Sequence, residues 1–161
     1  MASTVSKAEP SAPAPVARGA AVTGQRVLLF GVGGRVYGWE IDAVREIVPF
    51  RRTTRLPGAP SFVCGLINLR GVIITVLDLG ERLGVGAVRR EEASVILVEH
   101  GAKLVGVAVD DVRDVRIVAP EQIEAARGDA AGGGVVRGIA HTEGDVVILL
   151  DVQSIVRQVL S

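Results

Sequence analysis

The sequence predicts an all-β fold made of two small barrels in tandem, and three observations predict it. The first is a repeat. Val27 to Ile47, VLLFGVGGRVYGWEIDAVREI, aligns without a gap on Val95 to Val115, VILVEHGAKLVGVAVDDVRDV, so that Gly33 falls on Gly101, Gly38 on Gly106, Asp42 on Asp110 and Arg45 on Arg113. The second is a further match behind each copy. Val63 to Leu79 aligns with Val136 to Val152, with Gly65 on Gly138, Gly71 on Gly144 and Asp78 on Asp151. The third is the alternation of short Val-, Ile- and Leu-rich runs with glycine-bearing turns, which marks strands that pair locally. Self-similarity at a fixed spacing means one supersecondary unit used twice rather than one large sheet.

The elements follow in order. Residues 1–24 are rich in Ala, Pro, Ser and Thr without apolar periodicity, which predicts a disordered tail. They lack the charged start and apolar middle of a secretory signal. Val27 to Val32 is a strand, Gly33-Gly34 a two-residue hairpin turn, and Arg35 to Ile41 the returning strand. Asp42 to Arg45 permits one helical turn that Asp42 could cap. Ile47-Val48 is extended again, and Pro49 confines it to a sheet edge. Pro57 and Pro60 punctuate a connection. Phe62 to Leu69 and Val72 to Leu77 form a hairpin about Arg70-Gly71, and Asp78 with Glu81 resembles a helix-capping pair.

The second copy repeats this order. Ser94 to Glu99 and Lys103 to Val109 pair about His100-Gly101. Val112 to Val118 is extended or partly helical, and Pro120 opens a helical turn that runs through Ile123. Ala130 to Gly134 is a flexible loop, and Val135 to Ala140 pairs with Asp145 to Leu150. Val152, Ile155, Val156, Val159 and Leu160 share one helical face. Each copy thus shows about five short strands, two hairpins and a helical turn. Five short antiparallel strands close on themselves to remove exposed edges, which gives two SH3-like β-barrels side by side. The expected organisation is a first lobe at about 25–84, a second at about 92–151, and a C-terminal helix at about 152–160.

The bulk composition excludes several function classes. The 161 residues carry no formal net charge, whereas nucleic acid or an anionic membrane surface would call for a basic surplus. Cys64 is the only cysteine, so no internal disulfide can form, and a reducing compartment is expected. Apolar residues make up 48% of the chain, yet no apolar run approaches the roughly 18 residues of a membrane helix. That aliphatic content fills two β cores, or fills them and leaves an apolar surface for a partner.

The segment GLINLRGVIITVLDL, with its Asn68-Leu69-Arg70-Gly71 turn between apolar strands, resembles the signature of CheW-type chemotaxis coupling proteins. Tyr37-Gly38, Ile41-Asp42 and Val44-Arg45-Glu46-Ile47 are similar to that family's second strand and following turn, and VGVAVDDV to the matching strand of its second lobe. The resemblance covers about residues 25 to 160. Pro is usual in the family where Thr75 stands. The Gly132-to-Gly134 loop and the basic Arg51-Arg52-Thr53-Thr54-Arg55 stretch are particular to this chain. The resemblance implies two CheW-like barrels, no catalysis and no cofactor. It implies a cytoplasmic scaffold held at membrane receptor arrays through its partners. Those partners are the cytoplasmic tip of a chemoreceptor, the regulatory domain of a chemotaxis histidine kinase, and other CheW-like domains in rings. A divergent adaptor of a non-flagellar chemosensory pathway fits the same residues. Val44, Glu46, Ile47, Gly65, Asn68, Arg70 and Gly71 are the partner-binding residues it points to.

Read without the family, several of these residues have simpler roles. An arginine at a hairpin tip is usually solvated, although arginine is also enriched at interface anchors. The second copy has Glu143 where the first has Arg70, so the two turns differ in charge. Asn68 suits a turn, Gly65 and Gly71 suit backbone requirements, and Ile47 suits a core at least as well as a surface. Tyr37 and Trp39 should be core. Arg51, Arg52 and Arg55 form a solvated loop or steer an acidic partner. A small barrel enzyme or ligand-binding protein would need Cys64, His100, His141 and Asp151 to converge. The repeat sends the two histidines to separate hairpins, and Cys64 reads as a small buried hydrophobe.

Overall fold

Residues 24–125 and 134–160 are described by the computed structural model, without the side chains of 159 and 160. The tail reading (apart from Gly24) and the glycine-loop reading (apart from Gly134) lie outside the described residues. In the first copy β1 (Gln25–Val32), β2 (Arg35–Glu40) and a 3-10 turn (Ile41–Ala43) lead to β3 (Val44–Pro49). Then come β4 (Val63–Leu69), β5 (Val72–Asp78) and the short helix α1 (Leu79–Leu83). The second copy runs β6 (Ser94–His100), β7 (Lys103–Val109), β8 (Asp111–Val118), a 3-10 turn (Pro120–Gln122), β9 (Ile123–Ala125), β10 (Val136–Thr142), β11 (Asp145–Leu150) and α2 (Val152–Leu160). Strand for strand, the second copy repeats the first with β9 added, but its 3-10 turn follows the third strand of the copy and not the second. Ile123 therefore belongs to a strand and not to a helical turn. Asp42 lies inside its 3-10 turn and caps nothing with its side chain.

The strand order corrects the expected division into contiguous lobes. One sheet runs β8-β1-β2-β11-β10-β9 and the other β3-β6-β7-β5-β4. Each copy lends its first hairpin to the strands that follow the hairpin of the other copy. Hydrophobic alternation dictates which face of a strand is buried, but not which copy supplies its neighbour. The redirection is local. The 3-10 turn at Ile41–Ala43 carries the chain from β2 out of one sheet and into β3 at the edge of the other. At the matching place, Asp110 separates β7 from β8, accepts a hydrogen bond from the Gly33 N–H through Oδ2 (2.8 Å) and so ties this corner to the β1–β2 turn.

The exchange preserves the repeat to the residue. β5 lies parallel to β7 with Val76 opposite Gly106, and β11 lies parallel to β2 with Leu149 opposite Gly38. The repeated glycines have a common cause in close packing. A Cβ at Gly38 would stand 2.6 Å from Val27 Cγ1, and one at Gly106 2.7 Å from Val95 Cγ1, the same pair in each copy. In β1 both faces are buried. Val27 and Leu29 fill the interior of the first sheet with Val147 and Leu149, while Leu28 and Phe30 join Tyr37, Trp39 and the interior of the second sheet in one continuous core. Phe30 packs on Trp39 with ring centroids 4.5 Å apart. Val152, Ile155 and Val156 of α2 are buried against that core. The second sheet curls until its ends meet, because Thr54, beyond β3, exchanges two 2.8 Å backbone hydrogen bonds with Leu66 of β4.

Candidate partner-binding site

The curl of the second sheet brings together residues that are far apart in its strand order. β3 and β4 are the two edges of the open sequence of strands, yet Arg70 Nη2 reaches Glu46 Oε1 at 2.5 Å. The Arg70-Gly71 turn is built from its own sequence. Leu69 pairs with Val72, leaving a two-residue loop. Arg70 has φ 52° and Gly71 φ 86°, both left-handed, as the tight hairpin turn with the right twist requires. Asn68 Oδ1 accepts the Gly71 N–H at 3.0 Å and fixes the turn from its first residue.

Arg70 is the one non-glycine with positive φ among the described residues. Holding a side chain with a Cβ there costs about 1 kcal/mol or more. The Glu46 pair does not clearly repay that, because the side chains are 67% and 37% exposed and exposed pairs are worth about 0–1 kcal/mol. The second copy places Glu143-Gly144 at this turn, and there only Gly144 has positive φ.

Around this ion pair the surface is apolar. Ile47 is 40% exposed, not part of the core as its sequence allowed, because Val48 takes the inward position on β3. Val72 and Ile73, at the start of β5, are 51% and 60% exposed. Sequence reasoning missed these two. The signal was present in three consecutive aliphatics, Val72-Ile73-Ile74: with Ile74 and Val76 buried, Ile73 must face out. Val44 is half-buried at a bulge in β3, and neighbouring Arg45 is paired with Glu99 of β6. Gly65 does not belong to the surface. It is buried with φ 139°, and a Cβ there would lie 2.3 Å from Thr54 O, so it serves the sheet closure.

The repeat places a second version of this face on the other sheet, with the charge at the turn reversed: Glu143 stands where Arg70 does, while Asp114 keeps the acid of Glu46. Val115 corresponds to Ile47 and Val146 to Ile73; with Ile117 they are 43%, 57% and 52% exposed. Here the arginine stands on the third strand of the copy and its acid opens β11, just past the Glu143-Gly144 turn. Arg116 of β8 contacts Asp145 Oδ2 at 3.2 Å and donates to Thr142 Oγ1 at 3.2 Å.

The groups an active site would need stay apart. His100 ends β6 and meets Gln153 Oε1 of α2 through Nδ1 at 2.6 Å, while His141 lies on β10 of the other sheet, 3.5 Å from Glu124. Cys64 is buried, and desolvation pushes its thiol up to about 11, a neutral and unreactive form. Asp151 caps α2 by accepting from Ser154 N and Oγ.

Two sheets of exchanged strands, each with an exposed strand-and-turn face, have the form of a protein-docking scaffold. Family comparison identifies which one: the CheW-like domain model matches residues 26–160, and the chain belongs to that family of non-catalytic chemotaxis adaptors. It is 33% identical over 135 residues to the chemotaxis protein CheW of Rhizobium meliloti, an alignment covering 82% of this chain and 87% of the relative. It is 38% identical over 104 residues to CheW of Klebsiella aerogenes, covering 64% of this chain and 63% of the relative. The crystal structure of the scaffolding protein TtCheW from Thermoanaerobacter tengcongensis superimposes with a TM-score of 0.73 at 32% identity, covering 80% of this chain and 89% of that one.

Proposed function

We propose that this chain couples the cytoplasmic tips of chemoreceptors to the regulatory domain of a histidine autokinase, within a receptor array at the cytoplasmic side of the membrane. The observation that carries the reading is the pair of repeat-related faces. A linker needs two docking surfaces that do not compete, and the fold offers the Glu46–Arg70 face and the Arg116–Asp145 face on separate sheets with opposite charge at the turn. Opposite charge at the turns makes the two faces discriminate between partners while their aliphatic residues supply contact area. Val44, Glu46, Ile47, Asn68, Arg70 and Gly71 form or shape the first face. No helix among the described residues is long and apolar enough to cross a membrane.

The chain is also 34% identical over 84 residues to Protein PilI of Pseudomonas aeruginosa, which supports a second reading as the adaptor of a non-flagellar chemosensory pathway. The same experiment addresses both: titration of a receptor tip fragment and of the kinase regulatory domain from each chemosensory system of the source cell. Saturable binding to one receptor and one kinase, lost on one face at a time in Arg70→Ala and Arg116→Ala proteins, is the expected result. Binding to neither class would end the coupling reading.

A further inference from the structure

Outside both faces, the connection between β3 and β4 arches over a cavity of about 380 Å³, within the usual range for ligand pockets. Its charged lining is all of one sign. Arg55 and Arg90 supply two guanidinium groups, Thr53 and Ser61 two hydroxyls, and Cys64 part of the wall. Among the described residues neither Arg55 nor Arg90 is ion-paired. The buried carboxylate of Asp78 feels the Arg90 charge, but its oxygens are engaged by the Glu81 and Val88 amides. The Cys64 thiol stays neutral, so it brings no resident negative charge.

We propose that this cavity binds a phosphate-class oxyanion, free or as a phosphate monoester. Guanidinium forks make bidentate, charge-assisted hydrogen bonds to phosphate oxygens, and threonine and serine hydroxyls complete such a set. The groups are held before any ligand arrives. Arg90 lies over the Phe50 ring, 5.8 Å from its centroid. Thr53 and Arg55 flank Thr54, whose backbone is pinned to Leu66 by the paired 2.8 Å hydrogen bonds that close the sheet. In an extended segment, residues on either side of a pinned one share a face, which places Thr53 and Arg55 together on the cavity. Preorganisation of this kind lowers the ordering cost of binding. The basic run at Arg51 to Arg55, which the docking faces leave without a use, thereby acquires one.

The test titrates the full chain with inorganic phosphate, with phosphoserine, and with serine in sodium chloride, all at matched ionic strength, following amide and arginine side-chain resonances. Saturable shifts at Thr53, Arg55, Ser61 and Arg90 are expected with the two phosphates and not with serine and chloride. Arg55→Gln and Arg90→Gln should each weaken binding about ten-fold, the loss of a charge-assisted hydrogen-bonding group, while Arg137→Gln leaves it unchanged. Both arginines are exposed, so thermal melts should show the variants folded. Equal affinity for phosphate and phosphoserine would identify the free ion as sufficient, and tighter phosphoserine binding a monoester. Shifts that never saturate, that chloride reproduces, or that both arginine variants retain in full would overturn the site.

Discussion

Replacing Arg70 by glycine separates the fold from the function at the residue where they conflict. In the native turn Arg70 has φ 52°, so its Cβ costs about 1 kcal/mol or more that glycine would recover. Against this stand the loss of an exposed ion pair with Glu46, about 0–1 kcal/mol, and the greater chain entropy of unfolded glycine, about 0.4–1 kcal/mol. The opposing contributions nearly cancel, so Arg70→Gly should hold its stability within about 1 kcal/mol, or about 2–4 °C in melting temperature for a chain of this size. Arg70→Ala keeps the left-handed strain and still loses the pair, so it should melt at or below the glycine variant. Binding should follow a different order. If Arg70 anchors a partner, both variants lose roughly 2 kcal/mol or more, about a thirty-fold weakening. Arg70→Lys should recover only part, because an ammonium cannot reproduce the planar fork. Calorimetric melts beside titrations of receptor tip and kinase regulatory domain read both quantities. Wild-type affinity of Arg70→Gly for both partners would return Arg70 to a solvated turn, and a melting loss well beyond 4 °C would make it a structural residue.

Two further substitutions probe the frame behind the face. Gly65→Ala places a Cβ 2.3 Å from Thr54 O at φ 139°, so it should open the sheet closure and cost several kcal/mol, read as a large drop in the urea midpoint; a near-native midpoint would mean that the closure is dispensable. Asp78 is buried, and desolvation raises its pKa against the opposing help of the Glu81 and Val88 amides. A raised carboxyl pKa means the native state holds its proton more tightly, so this contribution to stability is full below the unfolded value and fades as pH rises through the folded one. Asp78→Asn should remove that dependence and keep the hydrogen bonds, whereas Asp78→Ala leaves two amides unpaired and should cost about 1–3 kcal/mol across the pH range. Identical pH–stability curves for wild type and Asp78→Asn would refute the assignment.

Much of this architecture was legible because the repeat is written in residues with strict backbone demands. Gly38 and Gly106 mark the same close approach in two places, and Asp78 and Asp151 cap the helix that follows each second hairpin. The continuous apolar run Val27-Leu28-Leu29-Phe30 puts apolar side chains on both faces of β1. What it could not reveal is whose strands cover them, because the copies are similar enough for either to serve. The candidate face was readable at Asn68, Arg70 and Gly71, where turn chemistry is local. Its partner Glu46 came into view through the family likeness, and the contact itself depends on how far the sheet curls. Ile47, Val72 and Ile73 were ambiguous for a general reason: an aliphatic residue on a strand has the same pattern whether its face meets a core or awaits a partner.

The exchange of hairpins makes a prediction that contiguous lobes would not. If each copy folded its own barrel, a fragment of residues 24–90 would be a stable domain. In the observed topology that fragment holds β1–β2 without β8 and β11, and β3, β4 and β5 without β6–β7. Val27 and Leu29 would lose the cover of Val147 and Leu149, and the paired edges of β3 and β5 would be left open to water and to other chains. Burial of a single such side chain contributes about 1.5–3 kcal/mol, against a total stability of about 5–15 kcal/mol for a domain, so neither fragment should fold alone. Fragments 24–90 and 91–161 should each give a disordered or aggregated sample, and mixing them should restore the β-sheet circular dichroism and a cooperative melt. The result that would sink this reasoning is an isolated 24–90 fragment with native-like strand content and a sharp transition, since β3, β4 and β5 would then have found a cover within their own copy.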